Sequence, residues 1–206
     1  MLRTALEFIQ DELNSYIQTR DPVNFGNKDI VTLSNIIKQD GTFEFDTTDN
    51  SDNHRIIISL VNIKENRAAD CQNYIHKKEN GTIQKVNPAV NLEFYILFAA
   101  FSDDYKSSLR NLTYVISFFQ NNPVFIPEKY PHINIHADAN KPWQKIQKIV
   151  FNLENLSFES QNQMWASIGA KYMPSLIYKM RLLRFQELDA KTEAPPILKG
   201  NLIGTQ

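Results

Sequence analysis

His132 and His136 are the first pair to test for chemistry, because two imidazoles four residues apart are a common half of a zinc site. On a helix they would share one face and could grip one ion. On a strand they stand on the order of 13 Å apart and cannot. Pro131 and the alternation of Ile133 and Ile135 about Asn134 favour the strand, so two exposed strand histidines and no bound metal are expected. His54 and His76 lie in polar stretches without an evident partner and read as solvated. Cys71, the single cysteine, would need an activating base and an oxyanion donor to act as a nucleophile. It lies in a polar loop with neither in view and reads as a plain thiol.

Other chemistries fare no better. The chain has no G-x-S-x-G elbow, Walker loop, G-x-G-x-x-G or H-E-x-x-H, and its six glycines leave little material for a phosphate cradle. Glu44, Asp46, Asp49, Asp52, Asp103 and Asp104 fall at capping or loop positions that account for them without catalysis. Tyr and Phe supply 8 and 13 residues, but most have places on helix and strand faces, so no aromatic platform for bases is required. Trp165, on a helix with Met164 and Ile168, reads as core. The expectation is no catalytic residue, no cofactor and no metal.

The elements that would have to position any such group come next. With 206 residues, 42% apolar and 22% charged, the chain is sized for one ordinary globular domain. Its 22 basic and 23 acidic residues nearly cancel, which argues against a nucleic-acid partner. The most apolar stretch, Val90 to Phe101, contains Asn91 and Glu93 and falls short of the ~18 apolar residues of a membrane span. Its lone cysteine and the polar residues among the first eight point to synthesis in a reducing cytosol.

Leu2, Ala5, Leu6, Ile9, Leu13, Tyr16 and Ile17 predict an amphipathic helix whose other side carries Arg3, Glu7, Gln10 and Asn14. Lys28 to Ile37 and the β-branched Arg55 to Ile63 predict strands, and residues 64–88 an exposed polar excursion. Asn91 to Phe101 is apolar on both faces, Leu92, Phe94, Ile96 and Phe98 against Tyr95, Leu97, Ala99 and Phe101, as a central strand requires. Asp103 or Asp104 can cap a following helix with Tyr105, Leu109, Leu112, Ile116 and Phe119 as its stripe. Ile149, Phe151 and Leu153 alternate as a half-buried strand. Ser157 caps a third helix that ends at a left-handed Gly169, and Leu176 to Phe185 forms a last strand. Beyond Leu188 periodicity is lost.

In this order the features resemble the cap, or tail-terminator, family of phage-tail-like contractile injection systems of the antifeeding-prophage and virulence-cassette type. Four stretches carry the resemblance: the opening helix Leu2 to Leu13; the strand Ile57 to Ile63 running into Glu65-Asn66; Asn87 to Phe101 leading to a helix that closes on Phe118-Phe119-Gln120-Asn121-Asn122-Pro123; and Leu156-Ser157, Met164-Trp165, Gly169, Tyr172, Pro174-Ser175 and Tyr178. Met164 stands where leucine is usual, and residues 187–206 have no counterpart.

The resemblance implies an α/β (α+β) fold, a mixed, mainly antiparallel sheet flanked by helices, over residues 1–186, with residues 187–206 as an extended tail. It also implies a non-enzymatic bacterial protein, assembled in the cytoplasm and placed at the distal end of a particle. There a homo-oligomeric ring, hexameric in the family, would bind the last layer of inner tube and sheath and end polymerisation. A baseplate or tube-to-sheath adaptor is the second reading, and a small hydrolase using Cys71 or His136 a distant third. Lys179, Arg181 and Arg184 on the last strand, and Ile197, Leu198, Leu202 and Ile203 in the tail, are the candidate contact residues. The tail would add to a neighbour's sheet edge or lie in a groove.

Overall fold

A strand that is apolar on both faces needs cover on both, and this requirement sets the layers. The computed structural model describes residues 1–38, 40–44, 55–66, 75–77, 83–85, 90–102, 104–138, 145–185 and 192–194; for 75–77, 83–85, 90, 182–185 and 192–194 it describes the backbone alone. In chain order the elements are α1 (Leu2–Arg20), α2 (Pro22–Phe25), β1 (Val31–Leu33), β2 (Arg55–Glu65), β3 (Ile75–Lys77), β4 (Ile83–Lys85), β5 (Val90–Phe101), α3 (Tyr105–Asn121), β6 (Val124–Phe125), β7 (Ile149–Glu154), α4 (Phe158–Ile168), β8 (Ser175–Phe185) and β9 (Thr192–Ala194). The main sheet has the order β1-β2-β5-β8-β7-β6, and only its β1–β2 pair is parallel.

β5 lies inside this sheet between β2 and β8, and its two faces enter two different cores. Phe94, Ile96 and Phe98 meet Phe8, Ile9 and Leu13 of α1 and Val115, Phe118 and Phe119 of α3. Rings dominate this side: Phe119 lies 4.4 Å from Tyr178 and 4.5 Å from Phe151 between centroids. Each such side chain buried contributes roughly 1.5–3 kcal/mol. On the other face Leu97 and Ala99 join Ile36, Ile57, Ile177, Met164 and Trp165 in a smaller core under α4.

The predicted strand at Lys28 to Ile37 shortens to Val31–Leu33, because the chain there passes from one side of the sheet to the other. Ile30 and Val31 enter the first core, whereas Ile36 enters the second. The outer edge of β1 is closed by α1. Asn14 Oδ1 accepts from the Ile30 and Val31 amides at 3.0 and 2.9 Å, Asn14 Nδ2 donates to the Val31 carbonyl, and Gln10 Oε1 accepts from the Leu33 amide. Asn14, assigned to the polar outer side of the helix, is therefore buried. It satisfies an edge that would otherwise be open to another chain.

The helix predicted after Asp104 is present and capped by it, the carboxylate accepting from the Lys106 and Ser107 amides. Its buried side differs from the expected stripe. Ser108, Asn111, Leu112, Val115, Phe118 and Phe119 face inward, while Tyr105, Leu109 and Ile116 face out. At 100° per residue the stripe is turned by about 80°. Within the stretch read as a polar excursion, β3 and β4 pair antiparallel, and β9 adds to β4. The C-terminal stretch thus supplies a strand to a sheet of its own chain at Thr192–Ala194.

Candidate interaction surfaces

The residues of the last motif stretch gather around α4 and the start of β8. Ser157 Oγ accepts from the Ser160 amide, and Gly169, at φ 76°, ends the helix with its amide donating to the Trp165 and Ala166 carbonyls. Met164 and Trp165 fill the second core, and Tyr172 sets its ring edge-on to Trp165 at 5.9 Å. The Pro174 carbonyl accepts from the Ala100 amide at 2.9 Å, and Ser175 pairs in register with Ala99. Tyr178 projects to the opposite face, against Phe98, Phe119 and Phe151, where burial pushes its phenol up to about 12. Together these residues anchor β8 into both cores.

Lys179 and Arg181 lie on the second face of the sheet, the face of Ile177. Cross-strand register places Lys64, Glu93, Arg181 and Val150 in one row and Asn62, Tyr95, Lys179 and Asn152 in the next. Lys64 Nζ stands 4.8 Å from the centre of the Tyr95 ring, Asn66 Nδ2 donates to Glu93 Oε1, and Lys179 Nζ is 3.8 Å from Glu154 Oε2. Such partly exposed pairs contribute little to folding, ~0–1 kcal/mol each, so this mixed-charge face suits a solvated or partner-facing surface. The side chain of Arg184 and residues Ile197, Leu198, Leu202 and Ile203 lie outside what the structure describes, as do Cys71, His54 and the side chain of His76.

His132 and His136 are not on a strand. Residues 126–137 form successive turns closed mostly by backbone hydrogen bonds three residues apart, held where Asn134 accepts from the Ile146 amide and donates to the Ile146 carbonyl. The turns aim both imidazoles at α1, His132 Nε2 to Glu12 at 2.5 Å and His136 Nε2 to Asp11 at 2.8 Å. They fasten the connector onto the helix. Among the described residues no group of three or more His, Cys, Asp or Glu could hold a metal.

Two exposed apolar patches went unread in the sequence. One is the outer stripe of α3, where Tyr105, Leu109 and Ile116 are 66%, 44% and 41% exposed. The other is the start of α4, the α4 overhang: Phe158, two turns before the buried Trp165 on the same side of the helix, is 92% exposed. The exposed Leu153 and Leu156 line a 180 Å³ cavity with Met164, Leu176 and Ile177 and with the polar Glu154 and Gln161. Hydrophobicity alone cannot separate a stripe that meets its own sheet from one that runs past it.

A mixed, mostly antiparallel sheet with α1 and α3 packed on one face and one short helix on the other defines an α+β domain of the terminator type. The sequence matches the Pvc16 N-terminal domain over residues 4–199, and the chain belongs to that family. Among solved structures the fold is shared with the sheath/tube terminator of an extracellular contractile injection system, PVC, in its extended state. That match has a TM-score of 0.63 at 15% identity and covers 100% of this chain and 64% of that one. The chain thus spans 64% of the length of the terminator it matches. The tube-terminating cap of the anti-feeding prophage aligns with a TM-score of 0.49 at 15% identity, over 81% of this chain and 55% of the cap. No curated protein matches the sequence.

Proposed function

We propose that this domain caps the sheath and inner tube of a contractile injection particle, as a ring of identical, six-fold arranged subunits that binds the last tube and sheath layer and ends their growth. The observation that carries this reading is the fold shared over the whole chain with a sheath/tube terminator. Membership of the Pvc16 N-terminal domain family supports it independently.

The physical logic is that of any stack of rings. The exposed end of the last ring offers the next ring its docking surface, so termination needs a subunit that accepts that surface and offers no copy of it. Nothing in that task requires a catalytic group, and the role proposed is non-catalytic. Lys179 and Arg181, on the open mixed-charge face, are suited to polar contact with the ring below. Ile197, Leu198, Leu202 and Ile203 would add apolar contacts from the C-terminal stretch.

Deletion of the gene for this chain tests the reading. Tubes and sheaths lacking the cap should vary widely in length and lose sheath from the distal end; particles of unchanged length and integrity would refute termination. Particles lacking a baseplate would instead favour an adaptor role.

A further inference from the structure

We infer that the outer stripe of α3 on one copy of this chain seats against the α4 overhang and the cavity beside β7 on the next copy. The inference rests on the ring reading above and names the two surfaces that would close the ring.

The two patches complement one another in shape. α3 offers a convex row, Tyr105, Leu109 and Ile116, whereas the second patch is the exposed Phe158 of α4 with a hollow of 180 Å³ next to the same helix, where Leu153, Leu156 and Met164 stand beside the polar Glu154 and Gln161 and so suit a ring that carries a hydroxyl. A cavity of about 150 Å³ takes a benzene ring, so this hollow accommodates the ring of Tyr105. They complement one another in charge as well. Beside its outer stripe α3 carries the exposed Lys106 and no acidic residue, whereas α4 carries Glu159 and no basic one, with Glu154 lining the hollow.

Position decides the partner. α3 packs on the face of the sheet that holds Phe94 and Phe98, and α4 on the face that holds Leu97 and Ala99. One protomer cannot bring its own two patches together. A two-fold dimer through either patch would set like against like and leave the other bare to water. A head-to-tail contact buries both, and repetition of one such contact around an axis generates a ring.

The test uses the wild-type chain, Leu109→Glu, Phe158→Glu and their equimolar mixture, with folding checked by circular dichroism and mass by light scattering after gel filtration. Wild type should be oligomeric. Each variant alone should need at least about thirtyfold more protein to assemble, the loss expected of a central interface side chain. The mixture should give a discrete dimer, because only the stripe of Phe158→Glu and the hollow of Leu109→Glu remain intact. Lys106→Glu and Glu159→Lys, both on exposed positions, should each weaken assembly about twofold to fivefold, and the double variant should recover it. Variants that assemble like wild type, or a mixture that stays monomeric when both variants do, overturn the pairing and leave the ring standing. A wild-type chain monomeric at every concentration removes the ring reading and the pairing with it.

Discussion

Replacing Asn14 should loosen the edge of the sheet far more than an ordinary helix-surface substitution. Its amide satisfies three buried backbone groups, the Ile30 and Val31 N–H and the Val31 carbonyl. Each one left unpaired costs about 1 kcal/mol or more, so Asn14→Ala should destabilise by about 3 to 5 kcal/mol. For a domain with a net stability of roughly 5–15 kcal/mol that is a large fraction. Asn14→Leu separates bonding from packing, because it restores bulk without an acceptor or donor, and it should be no more stable than the alanine variant. Urea unfolding gives the free energies. Amide exchange should accelerate at Ile30 and Val31 ahead of the rest of the sheet, and the opened edge should promote self-association. A loss under about 1 kcal/mol in both variants would refute the view that α1 closes this edge through hydrogen bonds.

The buried and exposed sides of α3 should separate cleanly in urea unfolding of the monomer at low protein concentration: Phe118→Ala should cost about 3–5 kcal/mol, and Leu109→Ala should stay within about 0.5 kcal/mol. Gly169→Ala, at φ 76° with open space around its Cβ, should lose roughly 1 kcal/mol through backbone strain alone. Tyr178 holds its proton in the folded state up to about 12 but releases it near 10 when unfolded. Its contribution is therefore intact below about pH 10 and falls as pH rises toward 12, by up to about 1.4 kcal/mol per unit. Tyr178→Phe should flatten that decline in urea unfolding at alkaline pH.

The parts of the fold legible in the sequence are those whose causes are local or symmetric. β5 announces itself because both of its faces are buried, so Phe94, Ile96 and Phe98 alternate with Leu97 and Ala99 without a polar break. The ends of α4 are legible because Ser157 and Gly169 act on their own helix. The face of α3 is not, because its inward arc includes Ser108 and Asn111, and a stripe drawn by hydrophobicity slides toward Leu109 and Ile116. Asn14 and the two histidines fail for a related reason: each is placed by a partner distant in the chain, Val31 for Asn14 and α1 carboxylates for His132 and His136. Motif residues such as Trp165 and Tyr178 were legible as packing positions. The apolar surfaces at Tyr105 and Phe158 depend on which arc of each helix meets the sheet and over what length, which no local pattern records.

A density tag on this chain, imaged in purified particles, reveals where the protein sits. A terminator gives a single ring of tags at the end opposite the baseplate, beyond the last layer of sheath and tube. Tags along the sheath, at the baseplate, or absent from the particle would contradict that role.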